Sequence, residues 1–281
     1  MMRIPALLAV TAGVFLTAVD SVAQPPPVPA PAYSYADLAD RALAAPVVLT
    51  ATISQAIRLE PERAAGLPPG HARFYVEADA SALIRGPAGM PPRVRYLADV
   101  PLSTKGKAPK LKKQIMLILA RPVPNRPGEL QLIARDAQMP LTPELEQRIR
   151  AILTEVVRQD APPQVTGVAS AFHVPGAIPG EGETQIFLST PSSRPISLNV
   201  LRRPGQERQW SVALSEIVDE AAQPPARDTL LWYRLACGLP RELPAQAIAE
   251  LESSAAEAAR DDYGYVLTQL GRCARTRPAR G

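Results

Sequence analysis

Apolar and polar residues alternate in several segments between residues 47 and 134, which is the pattern of half-buried β-strands. The run from Phe74 to Asp79 shows this alternation clearly. The five predicted strands are Val47–Ala56, Arg73–Ile84, Val94–Val100, Gln114–Arg121 and Glu129–Ala134. Loops rich in glycine and proline separate them, and no helix intervenes. We therefore predict a small antiparallel β-barrel rather than a doubly wound sheet.

Helix signals flank this barrel on both sides. Ser34 is a good N-cap for a short helix that ends before Pro46. A second helix begins at Thr142–Pro143 and ends before Pro162. Its apolar residues fall on one stripe, so we expect it to cover the barrel.

A second block with strand patterns begins at residue 164. Its predicted strands are Gln164–Phe172, Thr184–Ser189, Ile196–Arg203 and Gln209–Ile217. The period then becomes helical, and the predicted helices are Asp228–Cys237, Pro244–Arg260 and Asp261–Cys273. The predicted fold class is α+β: a barrel with a covering helix, a β-hairpin-rich block and a C-terminal helical subdomain. The pattern leaves open whether the second strands join the barrel.

The phrase Ser81-Ala82-Leu83-Ile84-Arg85-Gly86-Pro87 closes the second predicted strand. Together with the order of five strands, a long loop before the fourth and a final helix, residues 46–157 resemble the secreted OB-fold modules of the netrin-like and metalloprotease-inhibitor kind. The resemblance implies an OB-like barrel for this part of the chain. It transfers the fold and no functional residue.

The N-terminal segment resembles an export signal. Arg3 precedes an apolar stretch of about fourteen residues, which is shorter than a membrane-spanning helix, and small residues end at Ala23. We predict a signal peptide over residues 1–23 that is cleaved near Ala23, with a retained anchor as the alternative. The mature chain would be periplasmic or secreted, without a transmembrane segment.

The pattern of predicted elements divides the remaining chain into four parts. Residues 24–33 form a proline-rich leader, for which an extended conformation is expected. We predict an OB-like barrel domain over residues 34–160, a β-hairpin block over 161–220 and a helical subdomain with a basic tail over 221–281.

The chain has two cysteines, and each lies near the end of a predicted helix. Helices that fold back on one another would bring Cys237 and Cys273 together, and export places them in an oxidising compartment. We therefore predict a disulfide between them. The alternative is a pair of unpaired buried thiols.

Charge is distributed unevenly along the 281 residues, although the net charge is only +4. All five lysines lie in one loop: Lys105, Lys107, Lys110, Lys112 and Lys113. Four arginines form an acid-free tail: Arg272, Arg275, Arg277 and Arg280. Without these nine residues the mature chain has 21 basic and 26 acidic residues, a net charge of −5.

The lysine loop is the candidate binding site. An anionic envelope component or an acidic protein would be attracted to it. The alternative is a solvated loop that protects an edge strand from pairing with other chains. Nucleic acid is not expected as a partner, since the loop lacks the interleaved aromatic residues of a stacking platform.

Enzyme motifs for acyl transfer, phosphate binding, zinc proteolysis and dinucleotide binding are absent from the sequence. Two cysteines and two histidines also cannot build a structural zinc site without carboxylates, and no cofactor or metal is predicted. The remaining catalytic candidates are His173, Glu181 and Glu183, which share one loop region. The alternative is a surface histidine beside a glycine-rich turn.

These observations favour a non-catalytic binding or interaction module. Two other functions stay open: a hydrolase-type enzyme that uses the His173 loop, and a small-ligand carrier that uses the mouth of the barrel.

Overall fold

The computed structural model of the chain describes residues 33–192, 194–214 and 222–276. The predicted signal peptide lies outside these residues, as do residues 24–32 of the leader and two arginines of the basic tail, Arg277 and Arg280. Within the described part, none of the helices has the length and apolar character needed to cross a membrane.

Five strands close into a barrel, in agreement with the prediction. They are β1 (Val47–Arg58), β2 (His71–Arg85), β3 (Arg93–Pro101), β4 (Ile115–Pro122) and β5 (Glu129–Leu132). The strand order is β1-β2-β3-β5-β4, and β4 pairs again with β1. All of these pairings are antiparallel except the parallel pairing of β3 with β5. This closed barrel is consistent with an OB-like fold.

Alternation within the strands fills the barrel. In β2 the residues Phe74, Val76 and Ala78 are buried inside it, whereas their neighbours face outward. The register between β1 and β2 shifts at three points, including the one between Ile53 and Gln55. Such irregularities bend a strand, which allows β1 to pair with β2 on one side and with β4 on the other.

A short strand that the sequence did not predict, β6 (Gln138–Pro140), pairs with β4. Three residues are too few to show an alternating pattern, so this strand could not be recognised from periodicity.

The two predicted flanking helices are present. Helix α1 spans Tyr35–Ala44 and begins with a capping box, in which Ser34 and Asp37 each bond to the other's backbone amide. Helix α2 spans Pro143–Val156, with the Thr142 hydroxyl as its cap. Both pack on the same hydrophobic core.

The second block forms a sheet of its own, which answers the question that the pattern left open. Its strands are β7 (Gly167–Pro175), β8 (Gly182–Ser189), β9 (Ser197–Arg202) and β10 (Gln209–Ala213), in the order β10-β9-β8-β7. Strand β7 begins and ends three residues later than predicted. The end of the predicted last strand, at Ile217, lies outside the described residues.

The helical prediction for the C-terminal part needs one correction. Helix α3 (Leu230–Gly238) is close to its predicted bounds, but Pro244–Arg260 and Asp261–Cys273 are not two helices. A short 3₁₀ turn covers Ala245–Ile248, and one helix, α4, spans Ser253–Leu270. The apolar stripe of α4 continues through the predicted break, since Ala259, Tyr263 and Val266 are all buried.

Two hydrophobic clusters hold the described part together. One fills the barrel. The other combines residues of α1, α2, the second sheet, α3 and α4, with Leu38, Ile152, Ile186 and Tyr263 among its fully buried side chains. The proposed division of the chain near residues 160 and 220 stays a prediction.

The predicted disulfide is confirmed. Cys237 in the last turn of α3 bonds to Cys273, just after α4, with Cα atoms 5.2 Å apart. The segment that follows Cys273 packs on α1, where Arg275 forms an ion pair with Asp40 at 2.6 Å. A disulfide is compatible with an exported protein.

Candidate functional site

The lysine loop joins β3 to β4 at one end of the barrel. Its five lysines are all exposed: Lys105, Lys107, Lys110, Lys112 and Lys113. Within the described part of the chain, none of their ammonium groups forms an ion pair or a side-chain hydrogen bond. Five unpaired positive charges therefore lie within one loop of nine residues, 105–113.

The backbone at the C-terminal end of this loop is fixed to the barrel, although its lysine side chains have no partners in the described ranges. The amide of Lys113 donates to the carbonyl of Ile53 at 2.8 Å, and the amide of Ile53 donates to the carbonyl of Gln114 at 2.9 Å. Leu111 is buried in the barrel core. This anchoring holds the end of the loop that carries Lys110, Lys112 and Lys113 against the barrel.

An apolar hollow of about 510 Å³ lies beside the last three lysines. Ile57 at the end of β1 lines it and is 47% exposed, and Phe74 and Leu111 form deeper parts of its wall. Exposed apolar surface next to unpaired cations suits a ligand that is anionic at one point and apolar at another.

The edge-protection role has less support from the strand that follows the loop. β4 pairs with β1 through residues 115–120 and with β6 through residues 116–118. Both sides of β4 are thus occupied where it leaves the loop, so β4 offers no free edge there. β3, which leads into the loop, pairs with β5 only at Arg95 and Tyr96, so the edge-protection role stays open for that strand.

A second concave surface, which the sequence did not predict, lies on the outer face of the barrel. This groove of about 710 Å³ crosses β2, β3 and β5 and continues beyond the end of β5. Its charged lining is five arginines and two acids: Arg73, Arg95, Arg121, Arg126, Arg135, Asp99 and Glu129. We call it the arginine groove.

His173 lies on β7 in a hydrogen-bonded chain that ties the second sheet to α4. Its Nδ1 lies 2.8 Å from the hydroxyl of Thr184, and that hydroxyl lies 2.5 Å from a carboxylate oxygen of the fully buried Asp262. The Thr184 hydroxyl donates its one proton to Asp262, so Nδ1 of His173 must donate to Thr184. Burial, chiefly, lowers the pKa of His173 below its ordinary value, which keeps the ring neutral at pH 7.

The same carboxylate accepts from Arg202 on β9, whose Nε lies 2.8 Å from Asp262. The chain from His173 to Arg202 therefore satisfies a buried charge and joins four elements, β7, β8, β9 and α4. This arrangement explains the position of His173 by structure, without a substrate.

The structure does not bring His173 and the two predicted carboxylates together. His173 is opposite Thr184 in the register of β7 with β8, whereas Glu183 is opposite Val174. Neighbouring residues in a strand point to opposite faces, so Glu183 and His173 face away from each other. Glu181 accepts a hydrogen bond from the amide of Ala177 at 3.1 Å and closes its own loop.

A metal site has no support in the described ranges, because no group of three or more His, Cys, Asp or Glu side chains there could hold an ion. No protein-family model matches the chain. No curated protein matches it either. We therefore infer its function from its own residues.

Proposed function

We propose that this chain is a non-catalytic, exported binding module that attaches to an anionic, amphiphilic envelope surface through its lysine loop. The observation that carries the proposal is a loop of five exposed, unpaired lysines, the last three of which line an apolar hollow with a half-exposed isoleucine. The lysines would meet anionic headgroups, and Ile57 would meet the apolar region beneath them. Residues 1–23 would act as the export signal, cleaved near Ala23.

The distribution of charge supports this assignment. Outside the lysine loop and the tail, acids outnumber bases in the mature chain, so an anionic surface would repel most of the protein and attract the loop. Each lysine near such a surface contributes about 1 kcal/mol to binding. A cluster of this size is enough for reversible attachment.

The hydrolase alternative has less support, because the three predicted catalytic side chains are not assembled in one place. The small-ligand carrier also has less support, since the interior of the barrel is packed with side chains. We also propose that residues 46–157 form a module of the netrin-like kind. The closed five-stranded barrel supports this proposal. We transfer the fold of these modules to this chain, and no inhibitory function with it.

The test uses vesicles of phosphatidylcholine with 30% phosphatidylglycerol and a variant with four lysines replaced: Lys105→Gln, Lys107→Gln, Lys110→Gln and Lys112→Gln. Lys113 is kept, since its backbone φ of 69° is uncommon for a residue other than glycine. We expect co-sedimentation with the vesicles to fall at least about tenfold. The melting temperature should change little, because the replaced side chains are exposed and unpaired.

The matched control removes four charges elsewhere: Arg203→Gln, Arg241→Gln, Arg260→Gln and Arg272→Gln. These side chains are exposed and, within the described residues, make no hydrogen bond or ion pair. The control should keep most of the binding. A second variant, Ile57→Thr, keeps a β-branched residue in the strand and should weaken binding several-fold. Equal losses in the lysine variant and the arginine control would show that net charge alone is responsible, and would reject the lysine loop as the contact.

A further inference from the structure

The arginine groove exists because two strands part. β3 pairs with β5 only at Arg95 and Tyr96, although β3 continues to Pro101 and β5 to Leu132. Beyond these two pairs the strands are no longer joined, and a cleft opens on the outer face of the barrel. The closed topology of the barrel thus creates a concave surface that no single segment encodes.

Some of the charges in the groove are neutralised within the protein. Arg73 and Asp99 are opposite each other in the register of β2 with β3 and form two hydrogen bonds, of 2.6 and 2.8 Å. Arg126 lies 3.2 Å from Glu129. Arg95 is less closely held, at 3.6 Å from Glu77.

Two arginines of the groove have no partner among the described residues. Arg121 at the end of β4 and Arg135 beyond β5 are exposed, and in the part of the chain that the structure describes their guanidinium groups form no hydrogen bond or ion pair. The lining as a whole carries a net charge of +3. A guanidinium group binds carboxylate or phosphate with two parallel hydrogen bonds, so the groove is prepared for an anion.

The floor of the groove is apolar at its centre. Tyr75 and Leu97 are opposite each other in the register of β2 with β3 and both line it. Leu97 is 50% exposed, because it points outward from the barrel and lies beyond the last pair of β3 with β5. A tyrosine ring and a leucine side by side offer a surface on which the C–H face of a sugar ring can pack.

The groove also contains acceptors that a simple polyanion would leave unused. The Glu129 carboxylate is 37% exposed and bonds to Arg126 through only one oxygen, so it and the exposed amide of Gln131 could accept hydrogen bonds from a ligand with hydroxyl donors. An acidic sugar combines the three groups that the groove would bind. Its carboxylates would meet Arg121 and Arg135, its hydroxyl groups would donate to the acceptors, and its ring face would pack on the apolar floor.

We propose that the arginine groove binds a short oligosaccharide that carries carboxylate groups. Its size is within the range of small-ligand sites. This binding is independent of the lysine loop, because the groove and the apolar hollow share none of their lining residues. The lining contains two tyrosines, but Tyr96 is 3% exposed, so only Tyr75 offers its ring. One ring is not a platform for successive bases, and nucleic acid is therefore a poorer match.

The test is calorimetric titration of the protein with a trimer of galacturonic acid, and with the same trimer methyl-esterified at its carboxyl groups. We expect the acid to bind and the ester to bind at least about tenfold more weakly. The variant with Arg121→Gln and Arg135→Gln should lose at least about tenfold in affinity for the acid. The matched control, Arg203→Gln with Arg241→Gln, should bind like the wild type.

Two further probes separate this proposal from its competitors. Tripolyphosphate supplies charge without hydroxyl groups, and an acidic hexapeptide supplies carboxylates on a chain that could pair with β3. Tighter binding of either probe than of the trimer would overturn the assignment to a sugar. Absence of trimer binding by the folded wild type at millimolar concentration would also overturn it. The variant that lacks four lysines should bind the trimer normally, so failure of this proposal and failure of the proposed function can be told apart.

Discussion

Asp37 is a fully buried carboxylate, and its hydrogen bonds decide its charge. Burial alone would raise its pKa, but hydrogen bonds from Thr276 and Ser34 outweigh that effect and lower the pKa from 3.8 to about 2. The Thr276 hydroxyl lies 2.6 Å from the carboxylate, and the Ser34 hydroxyl lies 2.8 Å away. A charge at the N-terminus of α1 thus ties the C-terminal segment to the beginning of the fold.

This arrangement predicts the acid sensitivity of the protein. The pKa of Asp37 is lower in the folded than in the unfolded chain, so its contribution to stability is complete above about pH 4 and is lost as the pH falls towards 2. We expect Asp37→Asn to lower the free energy of unfolding by about 2 kcal/mol at pH 7. Urea unfolding between pH 2 and 7 measures this difference. The difference in free energy of unfolding between the wild type and Asp37→Asn should become smaller below pH 4.

The control for this measurement is Asp160→Asn. The Asp160 carboxylate is exposed, at 69%, in an ion pair with Arg158. Its replacement should change the free energy of unfolding far less than replacement of Asp37, because an exposed ion pair is screened by solvent. If Asp37→Asn lowers the free energy of unfolding by the same amount at pH 2.5 as at pH 7, packing and not the charge accounts for the lost stability.

At the scale of elements, the disulfide sets how firmly the C-terminal helices are held. It closes a loop of 36 residues that contains the 3₁₀ turn and α4. A disulfide that closes a loop of this length restricts the unfolded chain, which adds about 4 kcal/mol to the free energy of unfolding. The segment after Cys273 depends on it, because this segment supplies the Thr276 and Arg275 contacts to α1.

Replacement of both cysteines by serine should therefore lower the free energy of unfolding by about 4 kcal/mol. It should also speed hydrogen exchange at the Thr276 amide, which donates to Asp37 at 3.0 Å. Urea denaturation and exchange measured by NMR test the two effects. A loss below about 1 kcal/mol with unchanged exchange would show that packing alone positions the segment. Arg275→Gln, which removes one ion pair and keeps the disulfide, is the control.

The sequence was sufficient for elements with strong local signals. The capped helices α1 and α2 and the five barrel strands could be predicted because alternation and caps are local. The break placed between Arg260 and Asp261 was wrong, since two adjacent charged residues do not interrupt a helix whose apolar stripe continues. The short strand β6 has too few residues to carry a pattern.

The candidate sites, like the elements, could be predicted only where their residues are close together in the sequence. The lysine loop could be recognised because its charges are adjacent in the sequence. The arginine groove could not, because Arg73 and Arg135 come together only when the barrel closes, and the cleft depends on where β3 and β5 part. The predicted grouping of His173 with Glu183 relied on adjacency in the sequence, and the register places the two on opposite faces.

At the scale of the whole molecule, our two proposals assign different ligands to the lysine loop and to the arginine groove. The loop presents unpaired ammonium groups and an apolar hollow, which suit an extended anionic surface. The groove presents paired and unpaired guanidinium groups around an apolar floor, which suit a discrete ligand. A module of this kind could hold an acidic sugar close to the surface to which it is attached.

The most direct test of the account is the partition of the wild-type protein onto vesicles that contain 0, 15 or 30% phosphatidylglycerol, at about 50 and 500 mM salt. Salt at the higher concentration shortens the Debye length to about 4 Å and screens exposed charges. We expect little binding without the anionic lipid, binding that rises with its fraction, and a loss of most binding at high salt. Binding that is absent throughout, or equal on neutral vesicles, would contradict the proposed function.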